Sequence, residues 1–97
     1  MFQITWTQKA EKQLNQTLLY WNNRNKSNSY SKKLLKEIKK TEIYLTENPN
    51  SGITIGYNSV LKISVLRVFS IIYKLKEKQI MILAFWDNRR NPDNLEL

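Results

Sequence analysis

The stretch Ile80-Met81-Ile82-Leu83-Ala84-Phe85-Trp86 is the most apolar run of the chain. A run of this length, apolar on both faces, predicts a central strand that is covered on one side by helices. The charged turn Lys76-Glu77-Lys78 precedes it, and the polar segment from Asp87 to Pro92 ends it. We therefore expect this strand to lie inside a sheet, with neighbouring strands on its edges and helices on one face.

Other segments have the pattern of strands. Residues 60–66 and 68–75 are rich in β-branched residues, which favour pleated structure. Ile53-Thr54-Ile55 is a weaker candidate. Phe2, Ile4 and Trp6 alternate with polar residues near the N-terminus, which predicts a short first strand.

Two segments between these strands have helical periodicity. The first runs from about Thr7, a good capping residue, to about Asn23. Its apolar stripe comprises Ala10, Leu14, Leu18 and Trp21, broadened by Leu19 and Tyr20.

The second helix begins after a polar connection and is capped by Asn28 or Ser29. It ends near Asn48, because Pro49 disfavours helical geometry in the residue before it. Its inward stripe comprises Leu34, Ile38, Thr41 and Leu45, with Leu35 and Tyr44 beside them.

The order of these elements predicts an α+β fold in one domain, residues 1–97. An N-terminal strand and a two-helix hairpin precede an antiparallel strand meander, and the helices pack on one face of the sheet.

Composition excludes several kinds of chemistry. The chain has 97 residues and a net charge of +8, with no Cys and no His. Disulfides, Cys/His zinc sites and histidine bases are therefore excluded, and we expect no cofactor and no metal. The charge favours an anionic partner. No segment has the pattern of a signal peptide or a membrane span, so we expect a cytoplasmic protein that does not bind membranes.

Four local stretches occur in a characteristic order. They are Ile4-Thr5-Trp6-Thr7 with Ala10, Glu11 and Leu14; Leu45 with Asn48-Pro49 and Gly52; Phe69-Ser70-Ile71-Ile72-Tyr73-Lys74; and the run from Ile80 to Trp86 with its basic exit through Arg89 and Arg90. Together they resemble the RelE/ParE superfamily of bacterial type II toxin–antitoxin toxins. The resemblance covers nearly the whole chain and gains its specificity from the order of the pieces.

The resemblance implies a toxin that is neutralised by a cognate antitoxin, which we expect to be acidic and to fold on binding. RelE-like members cut messenger RNA on the ribosome, and ParE-like members poison DNA gyrase. We expect a ribosome-dependent, metal-independent mRNA endoribonuclease that inhibits translation. The alternatives are a ParE-like gyrase inhibitor and a catalytically degenerate module that only binds the antitoxin.

A nuclease without metal or histidine must stabilise a doubly charged phosphorane with cationic side chains. By resemblance, Arg90 falls near the catalytic arginine of RelE-like toxins, and Lys62 falls near their catalytic lysines. We therefore expect Arg90, Arg67 and Lys62 to be catalytic. The expected RNA-binding residues are Arg89, Lys74 and Trp86.

Each candidate also has a structural alternative. Arg67 could pair with Glu77 or Asp87, Arg89 could solvate a strand end or bind the antitoxin, and Trp86 could cover the edge of the core. Ser70 occupies the position where RelE-like toxins carry a further arginine, which motivates the degenerate alternative.

Overall fold

A computed structural model describes residues 2–56 and 59–89. Within them the chain forms five strands and two helices in the expected order. The elements are β1 (Gln3–Trp6), α1 (Gln8–Asn25), α2 (Ser29–Glu47), β2 (Ile53–Ile55), β3 (Val60–Val65), β4 (Phe69–Lys76) and β5 (Gln79–Asp87).

The helices begin and end where local chemistry predicts. Thr7 is the N-cap of α1, and its hydroxyl accepts a hydrogen bond from the Ala10 amide at 3.2 Å. Lys26 ends α1 in the left-handed conformation, with φ of 51°. Asn28 is the N-cap of α2 but forms no side-chain cap, and Asn48 ends the helix directly before Pro49.

The sheet has the strand order β1-β5-β4-β3-β2. The pairs β2–β3, β3–β4 and β4–β5 are antiparallel, so the predicted meander is confirmed. β1 pairs in parallel with β5, with Ile4 opposite Ile80. This crossover places the apolar run at 80–86 between two strands, as its sequence predicts.

Both helices cover one face of the sheet. Ala10, Leu34, Ile38 and Leu45 from the helices form one core cluster with residues of β3, β4 and β5. Tyr73 is fully buried in this cluster, and its hydroxyl donates to the Pro49 carbonyl and accepts from the Gly52 amide, both at 2.9 Å. The junction between α2 and the sheet is therefore held by one buried phenol.

The opposite face, which we call the open face, carries a smaller apolar cluster of Val60, Ile72 and Ala84. β5 contains a β-bulge. Ile72 and Tyr73, which are consecutive in β4, pair with Ala84 and Ile82, which are two residues apart in β5. Leu83 is the extra residue of this bulge. Nearby, the Thr7 hydroxyl donates to the Ile82 carbonyl at 2.9 Å, and the Gln13 side chain accepts from the Phe85 amide at 2.9 Å.

Three expected members of the helical stripes are not core residues. Leu19 is 61% exposed, Leu35 46% and Tyr44 51%. The stripes are narrower than predicted, because each helix contacts the sheet along one side only. No helix in the described residues is long and apolar enough to cross a membrane.

Candidate functional site

Three of the predicted site residues lie on the open face. Lys62 pairs with Ile72, Lys74 with Val60 and Met81, and Trp86 with Ser70. Lys62 and Lys74 are diagonal neighbours, which places their Cα atoms roughly 7–8 Å apart. The open face therefore combines two lysines with an apolar centre and one indole.

The indole of Trp86 is half-buried, and its N–H group is buried without a hydrogen-bond acceptor among the described residues. A buried donor without an acceptor costs about 1–3 kcal/mol. Such a group is uncommon in a folded protein, and because the nitrogen itself is buried, a partner could reach it only if the surrounding side chains moved.

Arg89 lies on the other side of the sheet, at the exit of β5. Its Nε donates to Asp87 Oδ1 at 3.1 Å, and one terminal nitrogen donates to the Tyr30 hydroxyl at 3.3 Å. Its guanidinium lies 4.3 Å from the centre of the Trp21 ring and 5.1 Å from that of Phe69. The positive charge is thus paired and flanked by rings.

Asp87 is the centre of this arrangement. Its carboxylate is almost completely buried and also accepts the Trp21 indole N–H at 3.0 Å. Burial lowers the pKa of Arg89, but the hydrogen bonds to Asp87 and Tyr30 outweigh burial, and the net effect raises the pKa. Arg89 is therefore charged at every physiological pH.

Arg67 is exposed at the turn between β3 and β4. Leu66 and Arg67 have φ of 51° and 66°, so two successive residues adopt the left-handed conformation. Arg67 pairs with neither Glu77 nor Asp87 in the described residues, where the ion pairs are Lys40–Glu37 and Arg89–Asp87.

The structure separates Lys62 from the two arginines. Lys62 is three residues from the end of β3, a distance of roughly 10 Å. Arg67 and Arg89 lie at the same end of the sheet, where the Asn88 amide donates to the Val68 carbonyl at 2.8 Å. Lys62 also faces away from the helices, whereas Arg89 packs against them. Arg90, the principal catalytic candidate, lies outside the described residues.

Ser70 is buried beside the open face and bonds to the Asn88 side chain, with Asn88 Nδ2 donating to its Oγ at 3.0 Å. This hydrogen bond connects β4 to Asn88, in the turn that follows β5. The described residues contain no cluster of potential metal ligands.

A cleft of about 260 Å³ is located elsewhere, at the β2 edge. It contains no charged side chain and does not coincide with any predicted site residue. Its lining residues are Asn50, Thr54, Ser59, Leu61 and Leu75.

Sequence reasoning missed the residues that hold Arg89, namely Asp87, Trp21 and Tyr30. Asp87 was recognised only as a turn residue and as a possible partner of Arg67. The spacing of Asp87 and Arg89 was an available signal, because residues two apart at a strand end can approach each other. Trp21 and Tyr30 gave no such signal, because they come from different helices.

The fold and the basic residues define a small α+β protein with a helical hairpin on one face of its sheet and a lysine-bearing open face. A family model of the ParE toxin of the type II toxin–antitoxin system parDE matches residues 4–92. The chain therefore belongs to the ParE toxin family, within the RelE/ParE superfamily that its sequence resembles.

Among solved structures, the chain is similar to one described as the chromosomal ParDE TA system from P. aeruginosa. The TM-score is 0.72 at 22% identity, and the match covers 90% of this chain and 96% of the other. A similarity of this kind supports the fold. A search of curated proteins finds no match.

Proposed function

We propose that this toxin acts by binding DNA gyrase, and that it does not cut RNA. The observation that carries the proposal is the state of Arg89, an expected RNA-binding residue, whose charge is engaged by Asp87, Tyr30 and Trp21. An arginine that binds an RNA phosphate needs its donors aimed at the substrate. Membership of the ParE family supports the same choice, because ParE toxins typically act on gyrase.

The separation of the other candidates also argues against a nuclease. General acid–base catalysis requires side chains within hydrogen-bond reach of the same reacting group. Lys62 lies on the open face, away from the end of the sheet that carries Arg67 and Arg89, and Arg89 packs on the helical side. We therefore interpret these cations as binding determinants and not as catalysts.

The open face is the proposed contact surface for the target. The cluster of Val60, Ile72 and Ala84 is itself buried, so the accessible part of this face is formed by the flanking Lys62 and Lys74, whose ammonium groups suit a protein surface that presents carboxylates. Trp86 adds a half-buried aromatic ring, and aromatic residues are enriched at the energetic centres of interfaces.

The proposal includes an antitoxin partner, as the family's name implies. The net charge of +8 suits an acidic segment that folds on binding. A toxin with this target acts in the cytoplasm, so the proposal includes a cytoplasmic location.

A supercoiling assay with purified gyrase, ATP and relaxed plasmid tests the proposal. We expect the full chain to inhibit supercoiling, and we expect Lys62→Ala/Lys74→Ala to inhibit at least about tenfold more weakly, the effect of about 1.4 kcal/mol of lost binding. Lys9→Ala/Lys78→Ala is the matched control, because it removes the same charge from exposed positions off this surface.

Unimpaired supercoiling would contradict the proposal. Primer extension on cellular messages, after induction without antitoxin, separates the remaining alternatives. New ribosome-dependent cuts would restore the nuclease hypothesis, with Arg90 as its first candidate. Normal growth with intact messages would leave the antitoxin-binding module.

A further inference from the structure

A long segment in the first half of the chain contains no acidic residue. Between Glu11 and Glu37 there is no Asp or Glu, whereas six Lys and Arg residues occur there. The net charge of this segment is therefore +6, compared with +8 for the whole chain. The excess charge is therefore concentrated and not evenly spread.

The fold gathers five of these cations at one end of the helical hairpin. α1 ends at Asn25 and α2 begins at Ser29, so the two helices meet there. We call this surface the basic corner, and all five of its cations are exposed: Arg24, Lys26, Lys32, Lys33 and Lys36. Between them lie exposed amide and hydroxyl side chains: Asn23, Asn25, Ser27, Asn28 and Ser29.

No carboxylate of the described residues forms an ion pair with a cation of the basic corner. The two ion pairs of the described residues involve other cations, Lys40 and Arg89. Of the acids on α2, Glu37 pairs with Lys40 and Glu42 accepts the Trp6 indole N–H at 3.0 Å. The first turn of α2 also lacks an acid, so the positive end of the helix dipole adds to the lysine charges.

The lysines of α2 face away from the core. At about 100° per residue, Lys32, Lys33 and Lys36 fall within a sector of roughly 100°. Leu34 and Ile38 occupy the opposite side and are buried. The three ammonium groups are therefore directed to solvent, on the same surface as the polar connection between the helices.

We propose that the basic corner binds the phosphate backbone of duplex DNA without reading its bases. Phosphate is contacted by the residue types present here: Lys and Arg, Ser and Asn side chains, and helix N-termini. Interfaces with DNA are polar and strongly basic, and the corner's defining residues are all polar.

None of these residues is aromatic, and the neighbouring half-buried Trp21 ring already faces the guanidinium groups of Arg24 at 5.9 Å and Arg89 at 4.3 Å. The corner therefore favours phosphate contacts over the stacking of unpaired bases. The choice of DNA over RNA rests on the proposed function, because gyrase holds duplex DNA.

Fluorescence anisotropy of a short labelled duplex with the full chain tests the inference, at salt concentrations between roughly 50 and 200 mM. The variant is Lys32→Gln/Lys33→Gln/Lys36→Gln. The control, Lys9→Gln/Lys76→Gln/Lys78→Gln, removes the same charge from other exposed positions.

We expect the wild-type chain and the control to bind with a steep salt dependence. In the variant, affinity should fall at least about tenfold, and the slope of log K against log salt should fall by up to about 3.

Three outcomes would overturn the inference. The first is that the wild-type chain does not bind duplex even at the lowest salt. The second is that the variant and the control lose the same amount of duplex affinity. The third is that the wild-type chain binds polyglutamate more tightly than duplex of equal charge. The last outcome would assign the corner to an acidic protein.

The supercoiling assay separates this failure from that of the proposed function. A wild-type chain that inhibits gyrase but does not bind duplex would refute the basic corner alone.

Discussion

Asp87 accepts hydrogen bonds from two side chains, and both would lose an acceptor if Asp87 were removed. Trp21 donates its indole N–H to one carboxylate oxygen, and Arg89 donates its Nε–H to the other. The Asp87 carboxylate is 2% exposed and the Arg89 side chain is 39% exposed. Solvent therefore screens the charge of Arg89 in part but hardly reaches the carboxylate. This one residue joins α1 to the end of β5.

Asp87→Asn should therefore destabilise the fold. The amide can still accept from Trp21, but the charge-assisted bonds to Arg89 are lost, and we expect a loss of about 1–2 kcal/mol. Urea unfolding measures it as a lower midpoint at unchanged slope.

Glu77→Gln is the control for Asp87→Asn, since it neutralises an exposed acid and should change stability by less than about 0.5 kcal/mol. If both variants unfold at the same midpoint, the assigned role of Asp87 is wrong.

At the scale of the element, α2 has an unusual charge pattern. It has no acid in its first turn and no base in its last, whereas the helix dipole favours both. Lysines begin directly after the first turn, at Lys32 and Lys33. Positions where a sequence departs from the locally favourable residue type are often functional. The charge pattern of α2 therefore agrees with the basic corner proposed above.

Ser29→Glu tests this pattern by placing an acid in the first turn. We expect it to stabilise the protein by about 0.3–1 kcal/mol relative to Ser29→Gln, which has the same size without the charge. The difference should shrink at about 1 M salt, where screening is nearly complete. The same variant should weaken duplex binding.

Equal stability of Ser29→Glu and Ser29→Gln at low salt would show that the end of α2 is electrostatically neutral. The dipole would then no longer support the basic corner.

At the scale of the whole molecule, stability should decrease from the centre of the sheet to its edge. β4 lies between β3 and β5, and its residues from Phe69 to Tyr73 are all buried. β2 is an edge strand of three residues, and Ile53 is 71% exposed. The edge can open without disturbing the core.

Native-state hydrogen exchange should resolve this gradient. The amides of Ile71 and Tyr73 should exchange only through global unfolding, with a denaturant dependence equal to that of the whole protein. The amides of Ile53–Ile55 should exchange through local opening, with almost no denaturant dependence. Protection of β2 equal to that of β4 would contradict this, and would mean that the edge folds as one unit with the core.

The elements themselves were predictable because their signals are local. The cap at Thr7, the stop before Pro49 and the apolar run at 80–86 each depend on residues close in sequence. The observed bounds differ from the expected ones by one or two residues at most strand and helix ends. Membership of the superfamily was also evident, since it depends on the order of such pieces.

The sites were less predictable. Sequence named Lys62, Arg67 and Arg89 as candidates, but only the strand register shows that Lys62 lies apart from the two arginines. Arg67 adopts the left-handed conformation because the turn requires a positive φ there. This conformation was not predictable, because the turn lacks a local motif such as Asn-Gly.

By itself, the amino-acid sequence determined the element order, the fold class, the absence of Cys and His chemistry and the concentration of positive charge between residues 12 and 36. Periodicity, capping and composition depend on near neighbours, so they can be read along the chain.

Only the tertiary structure decided that β1 lies parallel to β5, that a bulge falls at Leu83 and that Arg89 is bound by Asp87, Trp21 and Tyr30. These features depend on residues far apart in sequence. Their contacts form only when the helices pack on the sheet, so no local pattern records them.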